Sequence, residues 1–381
     1  MNITIAMDSF KGSMSSIEAG NAVKNGIFNA LNGLNHTINV LPVADGGEGT
    51  IDALTYGKSF EKRTINVTGP TGEKIDASYI LTDDNMAIIE MAEAAGLPLV
   101  SKELRNPLNT TTFGVGELIK DAINNGCKHF IIGIGGSATN DCGIGMLQAL
   151  GYKITDKNGN DVPFGAKGLE VAASIIDSPI SSTLLSCDFT IACDVDNPLT
   201  GERGCSHVFS PQKGATPEMV RLMDGWMDAF ASVVEHFCKE KDAKFPFNRT
   251  TPGSGAAGGI GFAFLMMLHG KLMSGAQIVI KETKLEEHIQ ASDMVIVGEG
   301  KLDAQSTMGK IPVTIAKLAR KYGKKVIAYA GLVEDKSAIE KANIFDGVFE
   351  IDRKGMSLDE AMITKNSVSN LTQTVEKTFP I

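Results

Sequence analysis

A glycine-rich turn in the first half of the chain carries residue types that bind anions. The apolar run at 130–134 predicts a buried strand, and the chain then breaks at Gly135-Gly136-Ser137, where several backbone N–H groups are exposed together. Asp141 follows at the predicted start of a helix. Amide donors and a carboxylate on one turn suit a phosphate bound together with Mg²⁺. The alternative is a tight strand-to-helix turn in which Asp141 only caps the helix.

A second polar loop follows a short apolar strand near the N-terminus. It holds Asp8, Ser9, Lys11 and Gly12. A capping box formed by Ser15 and Glu18 then predicts the next helix. These side chains therefore lie at the carboxyl end of a strand, where open α/β sheets bind ligands. The alternative is a surface loop with a solvated lysine.

Two further loops are rich in carboxylates. Asp45 and Glu48 stand among the glycines of ADGGEGT, and glycines are costly in a purely structural turn because they spend backbone entropy and pack no side chain. Asp194 and Asp196 follow an apolar strand predicted over 190–193, and only a turn lets both face one cleft. Hard cations select oxygen ligands, so we expect Asp45, Glu48 and Asp196 to bind Mg²⁺ or its water shell.

Two glycine-containing loops complete the set. PGSGAAGGIG contains Gly253, Gly255 and Gly258, but threonines and a proline precede it instead of a strand, so it is not a dinucleotide-binding fingerprint. It fits equally a phosphate-binding loop and the close packing of a helix over small residues. The other loop, GEGKLD, follows a predicted strand and brings three polar residues to its end: Glu299, Lys301 and Asp303.

Taken together, these loops hold the groups that phosphoryl transfer needs. Amides and lysines bind phosphates, carboxylates bind Mg²⁺, and one carboxylate accepts the proton of the acceptor hydroxyl. We expect Asp194 to be that base, because the preceding strand fixes its backbone; Asp8 is the second candidate and Asp141 the third. The sequence has no GxxxxGK[ST] loop and no GxSxG elbow, which excludes a P-loop enzyme and gives no support to a hydrolase.

Composition and charge narrow the class of protein further. The net charge of −9 argues against nucleic acid or an anionic membrane as a main partner. The six cysteines form no CxxC pair and no zinc-like spacing, which predicts reduced thiols in a cytoplasmic protein. No apolar run is long enough to cross a bilayer, and the N-terminus does not resemble a signal peptide.

The order of strand and helix signals predicts the domain organisation. Strands and helices alternate in 1–60 and again in 276–381, where the second segment includes a strand predicted over 278–280. Residues 61–91 instead alternate strand and turn signals, as in an antiparallel meander. We therefore predict an α/β fold class, in which both chain ends form a parallel-sheet, Rossmann-like domain. A second, mixed α/β domain, 61–275, is inserted, with the active site in the cleft between the two.

Seven motifs, in a fixed order along the chain, resemble those of one known family. They are DSFKGS, ADGGEGT, GIGGSATND, CDVDNPL, FSPQKG, GSGAAGG and VGEGKLD, and they extend from Asp8 to Asp303. The sequence resembles the bacterial glycerate kinase family of the first type. That resemblance implies transfer of the γ-phosphoryl group of ATP to D-glycerate with Mg²⁺, in a two-domain α/β enzyme. The implied product is 2-phosphoglycerate, with 3-phosphoglycerate as the alternative. The oligomeric state is left open between a monomer and a homodimer.

Two other functions follow from the residues and are kept as alternatives. Gly133-x-Gly135-x-x-Ala138 follows a predicted strand, as in NAD(P)-dependent oxidoreductases, and Asp156 lies about 20 residues further on. Binding of reduced nicotinamide would distinguish this function. A non-catalytic sugar-acid sensor is the other alternative, although an anionic ligand alone would require fewer carboxylates. ATP consumption in the presence of glycerate would distinguish it.

Overall fold

The computed structural model describes residues 1–31, 36–46, 49–242, 246–303 and 310–380. The chain divides into two compact units. The terminal unit comprises Met1–Gly57 and Ser274–Ile381, and the inserted unit comprises Lys58–Met273. The predicted domains differ from these units by two or three residues at their limits.

The strands, in chain order, are β1 Asn2–Met7, β2 Thr37–Val40, β3 Phe60–Thr68, β4 Lys74–Thr82, β5 Met86–Glu90, β6 His129–Gly133, β7 Lys153–Thr155, β8 Ser174–Ile176, β9 Asp188–Ala192, β10 Lys271–Met273, β11 Met294–Leu302, β12 Lys325–Val333 and β13 Gly347–Glu350. The α-helices are α1 Ser16–Ala30, α2 Thr50–Thr55, α3 Ala92–Ala95, α4 Phe113–Asn124, α5 Ile144–Ala149, α6 Ala166–Val171, α7 Ser181–Leu185, α8 Cys205–Phe209, α9 Pro217–Lys241, α10 Ala256–Met267, α11 Gly275–Glu282, α12 Leu285–Ala291, α13 Ile311–Lys321, α14 Lys336–Lys341, α15 Leu358–Met362 and α16 Thr364–Thr378.

The terminal unit is built on a fully parallel sheet of strand order β13-β12-β11-β1-β2. β1 and the first part of β11 are buried, because helices cover parallel strands on both faces and select continuous apolar runs. The predicted Ser15–Glu18 capping box is confirmed at the start of α1. The predicted α/β fold class with a parallel sheet formed from both chain ends is therefore confirmed.

The inserted unit has a mixed sheet of strand order β10-β9-β6-β5-β4-β3. β3, β4 and β5 pair antiparallel, which confirms the predicted meander, whereas β5, β6, β9 and β10 run parallel. Its core is separate from that of the terminal unit and centres on stacked Phe130 and Phe189 from neighbouring strands. Because β6 and β9 are parallel neighbours, the loops that follow them leave the same edge of this sheet.

One predicted strand is wrong. Residues 278–280 lie inside helix α11, not in a strand. The Ser274 hydroxyl accepts a hydrogen bond from the Gln277 backbone N–H, and the Gln277 side chain accepts one from the Ser274 N–H, so a capping box begins this helix. Ile278 and Val279 are buried on its inner side. The β-branched run indicated a strand, but the cap and the packing decide the structure.

Gly255 and Gly225 provide a matched test of how the inserted unit packs. A Cβ at Gly255 would lie 2.1 Å from the Pro198 carbonyl oxygen, whereas a Cβ at Gly225, on the exposed face of α9, would meet nothing within 4 Å. Gly255→Ala should lower the free energy of unfolding by about 1–3 kcal/mol through overpacking. Gly225→Ala should raise it by about 0.5–1 kcal/mol through helix propensity. Urea denaturation measures both, and a wild-type midpoint for Gly255→Ala would contradict the packing described.

Candidate active site

The carboxyl ends of the parallel strands in the terminal unit surround a cavity of about 340 Å³. Because these strands run parallel, segments far apart in sequence leave the sheet at one edge, where open α/β sheets bind ligands. The cavity is lined by Asp8, Ser9, Phe10, Lys11, Ser13, Met14, Asp45, Glu299, Gly300, Lys301, Lys310, Gly331, Leu332, Ile351, Arg353, Leu358, Ala361, Met362, Ser367 and Asn370. One end is charged and the other is mainly apolar.

Asp8 is the buried acid of the charged end. It follows β1 directly and is 6% exposed, and its carboxylate accepts a hydrogen bond of 2.7 Å from the Ser9 backbone N–H. Burial raises the pKa of Asp8 to about 7, and the negative charges of Asp45 and Glu299 raise it further, against the opposing effects of Ser9 and Lys11. A carboxyl group with a pKa near 7 can exchange a proton at neutral pH.

Three lysines line the same end of the cavity. The Lys11 ammonium lies 3.9 Å from the Asp45 carboxylate, and the Lys310 ammonium lies 3.3 Å from that of Glu299. The Lys301 ammonium lies 3.0 Å from Glu334 and is half-exposed. Partly exposed ammonium groups over a row of carboxylates can exchange these partners for the oxygens of a phosphate.

The remaining predicted residues of the terminal unit have different positions. Asp303 lies within 4.0 Å of both Lys301 and Lys310, at the margin of this cluster. Gly12 does not line the cavity, and its φ of +73° explains why glycine occupies this tight turn. Glu48 lies outside the described residues.

Sequence reasoning missed part of this site. Lys310 and Arg353 line the cavity but lie outside the glycine-rich motifs. The apolar end was also missed, because its residues come from separate segments of the chain. One local signal was available. Leu358, Ala361 and Met362 have the i, i+3, i+4 spacing of one helix face, and all three line the cavity.

In the inserted unit, a buried lysine holds the Gly135–Ser137 turn in place. The Lys213 ammonium donates hydrogen bonds of 2.7 Å to the Ser137 hydroxyl and 2.6 Å to the Thr139 carbonyl. Lys213 is 2% exposed, and this burial lowers its pKa to about 8. The FSPQKG motif contains this lysine, but no local pattern in the motif indicates its contacts. Its hydrogen bonds fix the loop that follows β6.

Asp141 is fully buried and acts as a cap. Its carboxylate accepts hydrogen bonds from the Thr112 backbone N–H at 2.8 Å and hydroxyl at 2.9 Å, and from the N–H groups of Gly143 and Gly145. Desolvation raises the pKa of Asp141, while these donors act to lower it. The contacts stabilise the first turns of α4 and α5. They match the structural alternative that the sequence left open, and a catalytic role for Asp141 stays a prediction.

The three candidate glycines within PGSGAAGGIG, at positions 253, 255 and 258, lie against the chain itself. A Cβ at Gly258 would be 2.1 Å from the Thr139 carbonyl oxygen, and one at Gly253 would be 2.6 Å from Leu272. Gly258, like Gly255, allows two backbone segments to approach closely, and Gly253 leaves room for the Leu272 side chain. The contacts match the packing alternative, and phosphate binding by this loop stays a prediction.

Asp194 and Asp196 follow β9 at an exposed turn. The Asp196 carboxylate forms an ion pair of 3.1 Å with Arg203, and both side chains are mostly exposed. Among the described residues, no group of three or more His, Cys, Asp or Glu side chains is arranged to hold a metal ion. The predicted Mg²⁺ ligands and the choice of Asp194 as base therefore stay predictions.

The oxidoreductase fingerprint lacks its structural context. β6 ends at Gly133, but the next helix, α5, begins only at Ile144, whereas the fingerprint requires a helix that opens within its glycine turn. Ala138 instead lies in the extended loop and donates its N–H to the Ala95 carbonyl. A dinucleotide site of this type is not formed here.

A parallel-sheet α/β unit with lysines and carboxylates at its carboxyl edge suits a phosphotransferase. Comparison with known proteins agrees with this class. The profile of the glycerate kinase family matches residues 3–381. Glycerate 2-kinase of Escherichia coli K12 is 43% identical over 95% of this chain and 93% of its own length. Glycerate kinase of Bacillus subtilis is 43% identical over 95% of this chain and 93% of its own.

A solved structure extends this similarity to the fold. The crystal structure of a protein from Salmonella typhimurium LT2 assigned as glycerate kinase 2 has a TM-score of 0.85 and 40% identity, covering 99% of this chain and 96% of that one. The chain therefore belongs to the glycerate kinase family. It is an enzyme that phosphorylates an alcohol, and kinase chemistry implies ATP as a substrate. The oxidoreductase and sensor alternatives are not supported.

No helix among the described residues is both long enough and apolar enough to cross a membrane.

The raised pKa of Asp8 predicts a pH-dependent stability. The pKa is about 7 in the folded chain against 3.8 for an ordinary aspartate, so the folded state binds this proton more tightly than the unfolded state. Asp8 therefore costs stability progressively as the pH rises from about 4 to about 7. Asp8→Asn removes that cost. At pH 8 it should raise the free energy of unfolding by something on the order of a few kcal/mol, and the melting temperature should rise with it.

The gain from Asp8→Asn should shrink toward pH 4, where the wild-type carboxyl group is neutral. The exposed Asp83 of the inserted unit, changed to Asn, controls for the loss of one carboxylate. Scanning calorimetry between pH 4 and pH 8 measures both variants. A pH-independent difference between Asp8→Asn and wild type would contradict the raised pKa.

Proposed function

We propose that this enzyme transfers the γ-phosphoryl group of ATP to the 2-hydroxyl group of D-glycerate at the charged end of the cavity in the terminal unit. The observation that carries the proposal is Asp8, a buried carboxyl group with a pKa of about 7 beside lysines that suit phosphate. The name of the Escherichia coli relative, glycerate 2-kinase, supports the choice of hydroxyl group.

Asp8 serves as the general base in this proposal. The glycerate hydroxyl oxygen attacks the γ-phosphorus, the bond from that phosphorus to the bridging oxygen of ADP breaks, and the hydroxyl proton passes to Asp8. A carboxyl group whose pKa is close to 7 is efficient in this role. A large fraction of it is deprotonated at working pH, and the carboxylate is basic enough to take the proton. The rigid end of β1 and the Ser9 N–H fix its orientation.

Lys11 and a Mg²⁺ ion held by Asp45 would together offset the negative charge of the phosphates. The Lys11 ammonium would contact a phosphate or the glycerate carboxylate, and Asp45, 3.9 Å away, would bind Mg²⁺. Mg²⁺ in kinases is commonly held by one or two carboxylates together with the substrate phosphates, so Asp45 with ATP suffices as a ligand set. Such a metal ion would neutralise charge that develops on the transferring group.

Product analysis tests the reaction directly. The enzyme is incubated with ATP, Mg²⁺ and D-glycerate, and the product is compared by phosphorus NMR with standards of both phosphoglycerates. We expect 2-phosphoglycerate. Only 3-phosphoglycerate would contradict the choice of hydroxyl group, and no phosphoglycerate at all would contradict the proposed reaction.

Asp8→Asn tests the base. This change keeps size and polarity but removes the proton acceptor, so kcat should fall about 100-fold or more while KM for glycerate stays within a few-fold. In the wild type, kcat/KM should rise with pH through about 7 and then level off. Residual activity of Asp8→Asn should lack this rise.

Asp194→Asn is the matched comparison for the base. The Asp194→Asn enzyme should still show the rise in kcat/KM near pH 7, even if the substitution lowers kcat. Wild-type kcat in Asp8→Asn, with a severe loss in Asp194→Asn, would assign the base to Asp194 instead.

Lys11→Ala tests the phosphate contact. Loss of a preorganised positive charge at the transferring group should lower kcat/KM by about 100-fold or more. Lys24→Ala, an exposed change on α1 of the same unit, should leave kcat/KM within about twofold. Near-full activity of Lys11→Ala at limiting substrate would exclude Lys11 from the site.

A further inference from the structure

The apolar end of the cavity in the terminal unit has no role in the chemistry described so far. We call it the apolar recess and define it by six side chains that line it: Phe10, Met14, Leu332, Ile351, Leu358 and Met362. They come from the β1–α1 loop, the end of β12, the residue after β13, and α15. The whole cavity, at about 340 Å³, is within the range of about 300–1,000 Å³ typical of clefts for ligands much larger than a three-carbon acid.

Helix α15 presents an apolar face to this recess without covering it. Leu358 is 59% exposed and Met362 is 36% exposed, and together with Ala361 they line the cavity. The short helix is held by its own capping box, in which the Ser357 hydroxyl accepts from the Glu360 N–H. Exposed apolar side chains gathered at one concave site mark a surface that another molecule covers.

Two glycines of neighbouring strands line the cavity without contributing side chains. Gly300 of β11 and Gly331 of β12 stand between the register pairs Glu299–Ala330 and Lys301–Leu332. A Cβ at Gly331 would lie 2.7 Å from the Gly300 carbonyl oxygen, so packing within the sheet accounts for that glycine. A Cβ at Gly300 would be in ordinary contact, 3.5 Å from the Phe10 Cα, so packing does not require glycine there. A floor without side chains lets a planar group lie against the backbone.

The two ends of the cavity together fit one kind of ligand. The recess and its glycine floor suit a planar, largely apolar group, and the lysines at the other end suit a polyanion. Asn370, 2% exposed, adds a side-chain amide to the lining, and amides hydrogen-bond the edge of a purine base. A nucleoside triphosphate has this combination of a flat ring at one end and phosphates at the other.

We propose that the apolar recess binds the adenine and ribose of ATP, so that the triphosphate extends toward Lys11 and Lys310. This inference rests on the proposed function, since it names the place of that reaction's donor. It assigns α15 and the Gly300–Gly331 floor to nucleotide binding, and it leaves the space beside Asp8 to the acceptor.

Neighbouring residues of α15 and its C-cap provide the test. Met362 lines the recess, whereas Ile363, 56% exposed, does not, so Met362→Glu and Ile363→Glu place the same charge one residue apart. Met362→Gln removes the apolar contact without adding charge. Binding of ATP and of adenosine to the full-length protein is measured by isothermal titration calorimetry without glycerate, and melting temperatures confirm that each variant is folded.

We expect Met362→Glu to raise the Kd for ATP and for adenosine about tenfold or more, and Met362→Gln to raise both by a smaller factor. Ile363→Glu should change neither by more than about twofold, and KM for glycerate should stay within about twofold in all three. If Met362→Glu does not fold, Leu358→Gln, also exposed on α15, replaces it with the same expected direction for both ligands.

Two results would overturn the inference. One is an unchanged Kd for ATP and adenosine in the folded Met362 variants; the other is a rise in KM for glycerate with no change in nucleotide binding, which would place the acceptor in the recess. In either case wild-type production of phosphoglycerate leaves the proposed function intact. Conversely, the enzyme could make no phosphoglycerate and yet bind ATP with the predicted sensitivity to changes at Met362. That result would contradict the proposed function but support the nucleotide site.

Discussion

The parallel pairing of β1 with β11 is the constraint on which the candidate site depends. Met7 lies opposite Gly298, and the Asp8 N–H donates a hydrogen bond of 2.8 Å to the Gly298 carbonyl. This register brings Asp8 close to Glu299, although almost 300 residues separate them in sequence. A one-residue slip would move the side chains of β1 to opposite faces and separate the two acids. The hydrogen bonds of the sheet thus hold two like charges together at a partly desolvated edge.

Holding these like charges together lowers the stability of the fold, and the same repulsion can favour the binding of substrates. Burial beside other carboxylates raises the pKa of Asp8 to about 7, so its charged form is less stable than a solvated carboxylate. A metal ion, a phosphate chain or an approaching hydroxyl group would each relieve part of this repulsion. The lysines at the same edge already offset some of it through Asp45 and Glu299. The position of Asp8 at the strand end therefore explains both its cost to stability and its ability to accept a proton near neutral pH.

The sequence predicted most of the charged end, because its residues follow directly on apolar strands. Asp8, Lys11, Asp45, Glu299 and Lys301 all line the cavity as loops at strand ends should. The α/β class and the antiparallel meander were predicted from similar local patterns. Alternation of apolar and polar residues, or a short apolar run, indicates a strand directly from the sequence.

Other features depend on three-dimensional packing that local patterns do not report. A motif cannot tell whether Asp141 faces a ligand or satisfies the N–H groups of two helices, and the outcome depends on Thr112, 29 residues away. Apart from the apolar face of α15, the recess could not be predicted, because its walls meet only when β12, α15 and the first loop are folded together. The β-branched residues at 278–280 indicated a strand, yet a capping box at Ser274 began a helix.

The central claim is that the sheet edge holds Asp8 as a proton acceptor at neutral pH. Carbon-13 NMR of protein labelled at aspartate carboxyl groups measures this directly, with the Asp8 resonance assigned by its absence in Asp8→Asn. Titration of the free enzyme should show that resonance changing with an apparent pKa of about 7. A midpoint near 4, as for an ordinary solvated aspartate, would contradict the account.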